Sequence, residues 1–483
     1  MSSATFSDNP AHPAIPTPAH WIDGQAVPAK GPSLDVVNPA TGAVIASAPQ
    51  GTAEDVDRAV SAATAAFPAW SATDVADRIA VIRRVADGLQ QRTEELAAVI
   101  TAEIGSPISF SRQAQAGFAA HAIAAAITVV EEFTWSEQVG NSLIVREPIG
   151  VVGAITPWNF PLQQIVTKVV PALLAGNTVV LKPSEVTPLS AQIFAEVTAE
   201  AGLPAGVFNL VHGTGPVVGE AIARHDGIGM VSFTGSTAAG KRVAEVASAT
   251  VKRVSTELGG KAAYIVLPEA DLDEAVTQGL AMAWVNAGQA CGAWTRMLVP
   301  AAAHDTMVEK LREAATTYTT GDPTDEATAI GPLASETQRQ RVNAYIEKGI
   351  ADGATLVAGG PDRPEGLETG AYVRPTIFAD VDPDSVIARE EIFGPVLTVI
   401  PYSDDDEAVA IANDTVYGLS AAVAGEKDHA LDVARRIQVG QVTVNGGDYN
   451  FMAPWGGYKQ SGNGRELGRA GFEEFLETKA INI

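Results

Sequence analysis

The sequence predicts an α/β protein with two doubly wound parallel-sheet domains and a smaller β element. Three observations carry this. Residues 150–233 hold four short β-rich runs, GVVGAI, NTVVL, GVFNLV and MVSF, ending near Ile155, Leu181, Leu210 and Phe233. Each run is followed by Gly, Pro, Ser or Thr and then a helical stretch, the repeat of one strand-helix unit. A second such series follows Gly260: AAYIVL, RMLV, GPVLTVIPY, SAAVAG and QVTVN alternate with helical segments near 271–288, 302–318 and 404–413. Two pieces belong to neither series. QVGNSLIVRE (138–147) reads as a hairpin, and FLETKAINI at the end reads as a strand. Exposed strands invite pairing with another chain, so an oligomer is expected.

The remaining elements follow in order. Residues 1–20 read as a flexible arm, without the basic start and apolar core of a secretory signal. WIDGQ and NPATG mark turns between short strands over 21–50. Val56, Val60, Ala63 and Phe67 keep helical spacing, as do Ile79, Ile82, Val85, Leu89 and Leu96, with Pro68 expected to break the two. A further helix is expected over 110–132. Length allows about three units of ~150 residues. Lys+Arg 32 against Asp+Glu 57 gives a net charge of −25, which disfavours nucleic acid and anionic membrane as partners. No uninterrupted apolar run reaches the ~20 residues of a membrane span, and a cytoplasmic location is expected. The single cysteine, Cys291, excludes an internal disulfide and a multi-cysteine zinc site, and no metal site is read.

Ligands of such sheets sit at the carboxyl ends of strands, so the residues after each run carry the chemistry. Cys291 lies in NAGQACGAWTR, where Gly288, Ala290, Gly292 and Ala293 leave room for a substrate carbon to reach sulfur. A lone thiol is otherwise more often a buried small hydrophobe. Glu257 in TELGGK stands at a strand end before two glycines and suits a general base, though a solvated carboxylate is the commoner fate. Asn159 in TPWNFP (156–161) can donate to an oxyanion or simply form a turn. In KPSE (182–185), Lys182 and Glu185 suit ribose hydroxyls, and the carboxylate favours NAD over NADP. FTGSTAAG (233–240) opens a helix whose amides, with Ser236, suit a pyrophosphate, although Thr237 replaces the middle glycine of GxGxxG. Glu391 and Phe393 in EEIFGPV could clamp a second ribose and a flat ring. PWGGYKQSGNGRE (454–466) is a glycine-rich loop ending in Glu466.

TPWNFP, KPSE, FTGS, ELGGK, GQAC, EEIFGPV and PWGGYKQSGNGRE, in this order, resemble the NAD(P)-dependent aldehyde dehydrogenase superfamily, from about WIDG at 21 to the end. The resemblance implies two Rossmann-like domains, cofactor-binding and catalytic. Residues 21–126 and 149–259 would bind NAD, 260–457 would form the catalytic domain, and 127–148 with 470–483 would supply oligomerisation strands of a homodimer or homotetramer. It implies that Cys291 attacks the aldehyde to give a thiohemiacetal, with Asn159 and the Cys291 amide as oxyanion donors. Hydride leaves to the nicotinamide, and Glu257 activates the water that hydrolyses the thioester. Lys168 and Glu466 would relay protons to Glu257. The implied cofactor contacts are Ile155, Thr156, Pro157, Trp158, Lys182, Ser184, Glu185, Gly215, Phe233, Gly235, Ser236, Leu258, Glu391 and Phe393. NAD is the expected cofactor, with NADP as an alternative.

Motif-relative positions place Phe160, Gln164, Thr167, Val285, Gly292, Phe451 and Trp455 around the aldehyde. They carry little charge, which suits an uncharged aliphatic or aromatic aldehyde. Thr167 and Val285 stand where relatives that take cationic aldehydes carry tryptophans. These segments contain no arginine for a short semialdehyde acid. QQIVTKVVPAL and TRMLVP resemble a bacterial subgroup that acts on catabolic aldehydes, so a longer substrate with a distal carboxylate stays open. Trp294 departs from a pattern in which many relatives have a small residue. Two other readings compete: transfer of the acyl group to coenzyme A, and a silent binding protein on the same fold. Glu257 argues against the first, and retention of both Cys291 and Glu257 against the second.

Overall fold

The computed structural model describes residues 15–28 and 31–483, so most of the expected arm lies outside the described residues. The first sheet has seven strands in the spatial order Arg253–Glu257, Met230–Thr234, Val151–Ile155, Thr178–Lys182, Phe208–Leu210, His20–Ile22 and Gln25–Val27. The first five are parallel, and the last two run antiparallel at the edge. Val151–Ile155, Thr178–Lys182 and Met230–Thr234 are buried along their whole length. That explains their continuous apolar runs, since a parallel strand is covered on both faces. The chain steps outward from Val151–Ile155 to Phe208–Leu210, then crosses back to Met230–Thr234 on the other side. The crevice at this switch point opens between the segments that follow Ile155 and Thr234.

The second sheet also has seven strands, in the order Thr355–Ala358, Thr376–Ala379, Val396–Tyr402, Arg296–Pro300, Ala263–Val266, Ser420–Ala424 and Gln441–Val444. All pairs are parallel except the first. Thr355–Ala358 and Thr376–Ala379 are two strands the sequence did not announce; each has four residues between Gly- and Pro-rich segments. Leu476–Asn482, Ser142–Pro148 and Ser136–Val139 form a separate antiparallel sheet, with Lys479 opposite Val145. The hairpin and the terminal strand therefore pair with each other.

Pro68 does not break the helix where expected. Helix Ala53–Ser71 runs through it and ends one turn later. So close to the end, the missing N–H and the ring clash disturb a single turn. Ile108–Glu131 is by length and composition long and apolar enough to cross a membrane, which a search for uninterrupted apolar runs missed. In the fold, its Ala119, Ile123, Ile127 and Val130 pack into the core of the first unit.

Helix Pro161–Leu174 lies against the first sheet with nearly every residue buried. Pro161 occupies its first turn, where the missing N–H costs nothing. The helix delivers Thr167 and Lys168 to Glu466. At its far end Asn177 ties distant segments together. Its Oδ1 accepts from Gly150 N at 2.9 Å, and its Nδ2 donates to Phe475 O at 2.9 Å and Ala172 O at 3.2 Å. Asn177→Ala strands these buried groups, and a loss of about 1–3 kcal/mol is expected in denaturant unfolding. An unchanged midpoint would show that the terminal strand is held elsewhere.

Candidate active site

The two sheets meet the site by opposite ends. The first presents its carboxyl ends: Thr156–Asn159 after Ile155, Thr234–Ser236, and Glu257 as the last residue of its strand. The second presents its amino ends. Cys291 precedes Arg296–Pro300, and Glu391 and Phe393 precede Val396–Tyr402. The carboxyl-end rule thus holds for one sheet only. One cavity brings Pro157, Trp158 and Asn159 together with Gly235, Ser236 and Leu258. Gln164, Cys291, Glu391 and Phe393 complete it from the other side, with Thr234, Gly259, Gln338 and Arg341, which were not anticipated.

Cys291 is half-buried. The loop before it turns through Asn286, Ala287 and Gly288, all in the left-handed region (φ 49°, 55° and 73°). Such strain persists only where neighbours hold it. A side chain at position 292 would come within 2.8 Å of the Trp455 ring, so glycine keeps the approach to sulfur open. Burial, then Glu391, Glu257 and Glu466, push the Cys291 thiol up to about 12. The resting group is a thiol and needs a base. Asn159 is buried; its Nδ2 donates to Gln289 O, two residues before Cys291, at 3.0 Å.

Glu257 is buried, and neither carboxylate oxygen has a hydrogen-bond partner. Desolvation, then the like charge of Glu466, raise its pKa well above the usual carboxylate range, with Lys168 opposing. A Cβ at position 456 would lie 2.7 Å from Glu257 Oε1, so only glycine fits there. Lys168 Nζ donates to Thr234 Oγ1 at 2.6 Å and forms a buried ion pair with Glu466. Thr167, read as a wall of the aldehyde pocket, lines a small cavity with Phe451 and donates its buried hydroxyl to Glu466 Oε2 at 3.2 Å.

On the other side of the sulfur, Trp158 meets Phe393 edge to face at 5.4 Å. Phe393 holds φ 61°, and its carbonyl accepts from Gln338 Nε2 at 2.8 Å. Glu391 accepts from Gly260 N at 2.9 Å. Ser236 caps helix Thr237–Ala247, accepting from Ala239 N at 3.3 Å. Buried Lys182 approaches Glu185 at 3.5 Å, and Ser184 Oγ accepts from Val186 N. Gly215 opens a short π-helical turn, Gly215–Gly219. Ile155 and Phe233 are buried at their strand ends.

Aromatic rings form a separate wall. Phe451 packs against Phe118 at 5.5 Å, Tyr449 at 4.9 Å and His121 at 5.9 Å, and Tyr449 lies 6.2 Å from Trp455. Phe160 meets Phe110 at 6.2 Å. Phe118, His121 and Tyr449 were missed. The i, i+3 spacing on a helix and the i, i+2 spacing of Tyr449 and Phe451 hinted at a shared face, but nothing local said which face. Val285 begins a short 3-10 turn beside buried Trp284 and is not among the cavity residues above. Trp294 is buried in the core of the second sheet, 5.0 Å from Tyr264, and leaves the pocket unaltered.

Residues 26–481 match the aldehyde dehydrogenase family. A 3-succinoylsemialdehyde-pyridine dehydrogenase of Pseudomonas sp is 48% identical over 466 residues, covering 95% of this chain and 97% of its own. The structure of Pseudomonas syringae aldehyde dehydrogenase C, a cysteine-to-alanine mutant with NAD+ and octanal, is 52% identical, with TM-score 0.95 and 96% of each chain covered. An indole-3-acetaldehyde dehydrogenase of Pseudomonas syringae, also such a mutant and bound to NAD+, is 40% identical with TM-score 0.93 and 96% coverage of each. The chain therefore belongs to the aldehyde dehydrogenase family, and it is an oxidoreductase that acts on an aldehyde group.

The high thiol pKa sets the pH dependence. Thiolate grows about tenfold per pH unit below the pKa. Iodoacetamide should alkylate Cys291 of the free enzyme slowly near pH 7 and ever faster up to about pH 10. A plateau near neutrality would contradict a thiol held up by burial and, after it, by the neighbouring carboxylates.

Proposed function

We propose that this chain oxidises an uncharged aliphatic or aromatic aldehyde to the acid, with NAD as hydride acceptor and Cys291 as nucleophile. The convergence of Cys291 and Asn159 on one cleft, with the buried, orphaned Glu257 directly preceding the cleft residues Leu258 and Gly259, carries the reading. The residues fit a dinucleotide: Ser236 opens a helix onto the crevice, Thr156 Oγ1 is buried without a partner, and the Trp158–Phe393 pair and Glu391 flank the sulfur. Lys182 and Glu185 would hold the adenine ribose, and Glu391 the nicotinamide ribose. NAD supplies the acceptor for the hydride.

Glu257 takes the thiol proton, and Cys291 sulfur bonds the carbonyl carbon to give a thiohemiacetal. Asn159 Nδ2 and the Cys291 amide meet the oxyanion, a contribution of about 10²–10³ in rate per donor. Loss of hydride leaves a thioester on sulfur. Lys168 with Glu466 carries the thiol proton away from Glu257, which is then free to deprotonate the attacking water; the second proton leaves by the same route. The free carboxylate oxygens of Glu257 favour this hydrolysis over transfer to coenzyme A.

The aldehyde would enter past Phe118, Tyr449, Phe451 and Trp455. Such a wall favours flat or extended apolar groups. The octanal, indole and pyridine groups in the relatives' names are of this kind. We further read the chain as a cytoplasmic homodimer or homotetramer. Gln441–Val444 and Leu476–Asn482 each leave one sheet edge unpaired, and a single catalytic thiol suits a reducing compartment.

Initial rates with aliphatic, aromatic, cationic and ω-carboxy aldehydes test the substrate class. Octanal-like and aryl aldehydes should give the highest kcat/KM with NAD, without coenzyme A. A strict coenzyme A requirement, or a preference for cationic aldehydes, would refute the reading. Glu185→Gln should narrow the preference for NAD over NADP by about tenfold or more, because the repulsion of a 2′-phosphate is removed.

A further inference from the structure

Gln115 is fully buried, yet the chemistry above gives it no task. It lies in the π-helical turn Ser111–Ala116, between Ile108–Phe110 and helix Gly117–Glu131. A π turn inserts an extra residue into a helix and rotates one part against the other, and such turns are frequent at functional sites. Here Phe118 and His121, after the turn, face Phe451. Gln115, within it, donates its Nε2 hydrogen to the Asn159 carbonyl at 2.9 Å.

That carbonyl has a second side-chain donor. Asn286 Nδ2 reaches it at 2.9 Å from the left-handed turn before the cysteine. Asn159 Nδ2 in turn donates to Gln289 O at 3.0 Å, which leaves its second hydrogen available. Asn159 is thus gripped at its backbone by two amides and at its side chain by the cysteine loop. An oxyanion donor must stand within about 2.7–3.1 Å of the developing charge.

We propose that Gln115 is a positioning residue that holds Asn159 so that its available amide hydrogen meets the oxyanion formed on Cys291. The π turn exists to let one helix serve both the aldehyde entrance and this grip. The inference rests on the proposed role of Asn159, and the test separates the two.

Gln115→Met keeps the length and removes the donor. Because a displacement of ~1 Å can cost ~10² in rate, kcat should fall about 10- to 100-fold. Both KM values should stay within about twofold, with the unfolding temperature and the iodoacetamide-titratable Cys291 unchanged. Asn159→Ala should lose more, and the double variant should be no slower than Asn159→Ala alone, because nothing is left to position. If Gln115→Met does not fold, Gln115→Leu, which removes the same donor, should show the same kcat loss and the same non-additivity. Unchanged kcat beside an impaired Asn159→Ala, or losses that multiply in the double variant, would overturn the inference and leave the role of Asn159 standing. An unimpaired Asn159→Ala would overturn both.

Discussion

Glu257 sits buried between two sheets with no partner for either oxygen, while Glu466 beside it takes the ammonium of Lys168. The rest of the site depends on this uneven sharing of one cation between two acids. Two adjacent buried carboxylates cannot both hold a negative charge cheaply. Lys168 pairs with Glu466, and Glu257 is left without such a partner, as the proposed base requires. Burial, and after it the charges of Glu391, Glu257 and Glu466, raise the Cys291 thiol. Reactivity is thereby withheld from the free enzyme.

The fold serves that arrangement by presenting two sheets to one cleft from opposite ends. The first gives its switch-point crevice, where backbone amides open onto space. The second gives the loops that precede its strands, where a cysteine can be held in a strained turn. Helix Pro161–Leu174 lies against the first sheet and brings Lys168 to Thr234 of that sheet and to Glu466. The glycines at 292 and 456 matter because Trp455 and Glu257 occupy the space a side chain would need.

Much of this was legible in the residues. Strands buried on both faces wrote themselves as unbroken Val- and Ile-rich runs, and the motifs of the first sheet followed them directly. Other features were not legible, for stated reasons. Four-residue strands such as Thr376–Ala379 are too short to show a period. Pro68 sits close enough to a helix end to be tolerated. Lys168 and Glu466 stand 298 residues apart, so only the family resemblance, and no local pattern, paired them. The hydrogen bond from Thr167 to Glu466 is also long-range, and spacing alone does not announce it. The π turn that aims Gln115 is likewise invisible, because its sequence SRQAQA is ordinary helix.

The central claim is that Cys291 carries the acyl group and Glu257 releases it. Intact-protein and peptide mass spectrometry of Glu257→Gln, mixed with octanal and NAD at about pH 10 so that thiolate forms without the base, and quenched in acid, tests this most directly. The account predicts an octanoyl adduct on the peptide containing Cys291, dependent on NAD and absent from Cys291→Ala. Reduced cofactor accumulating over many turnovers with no adduct on that peptide would contradict it.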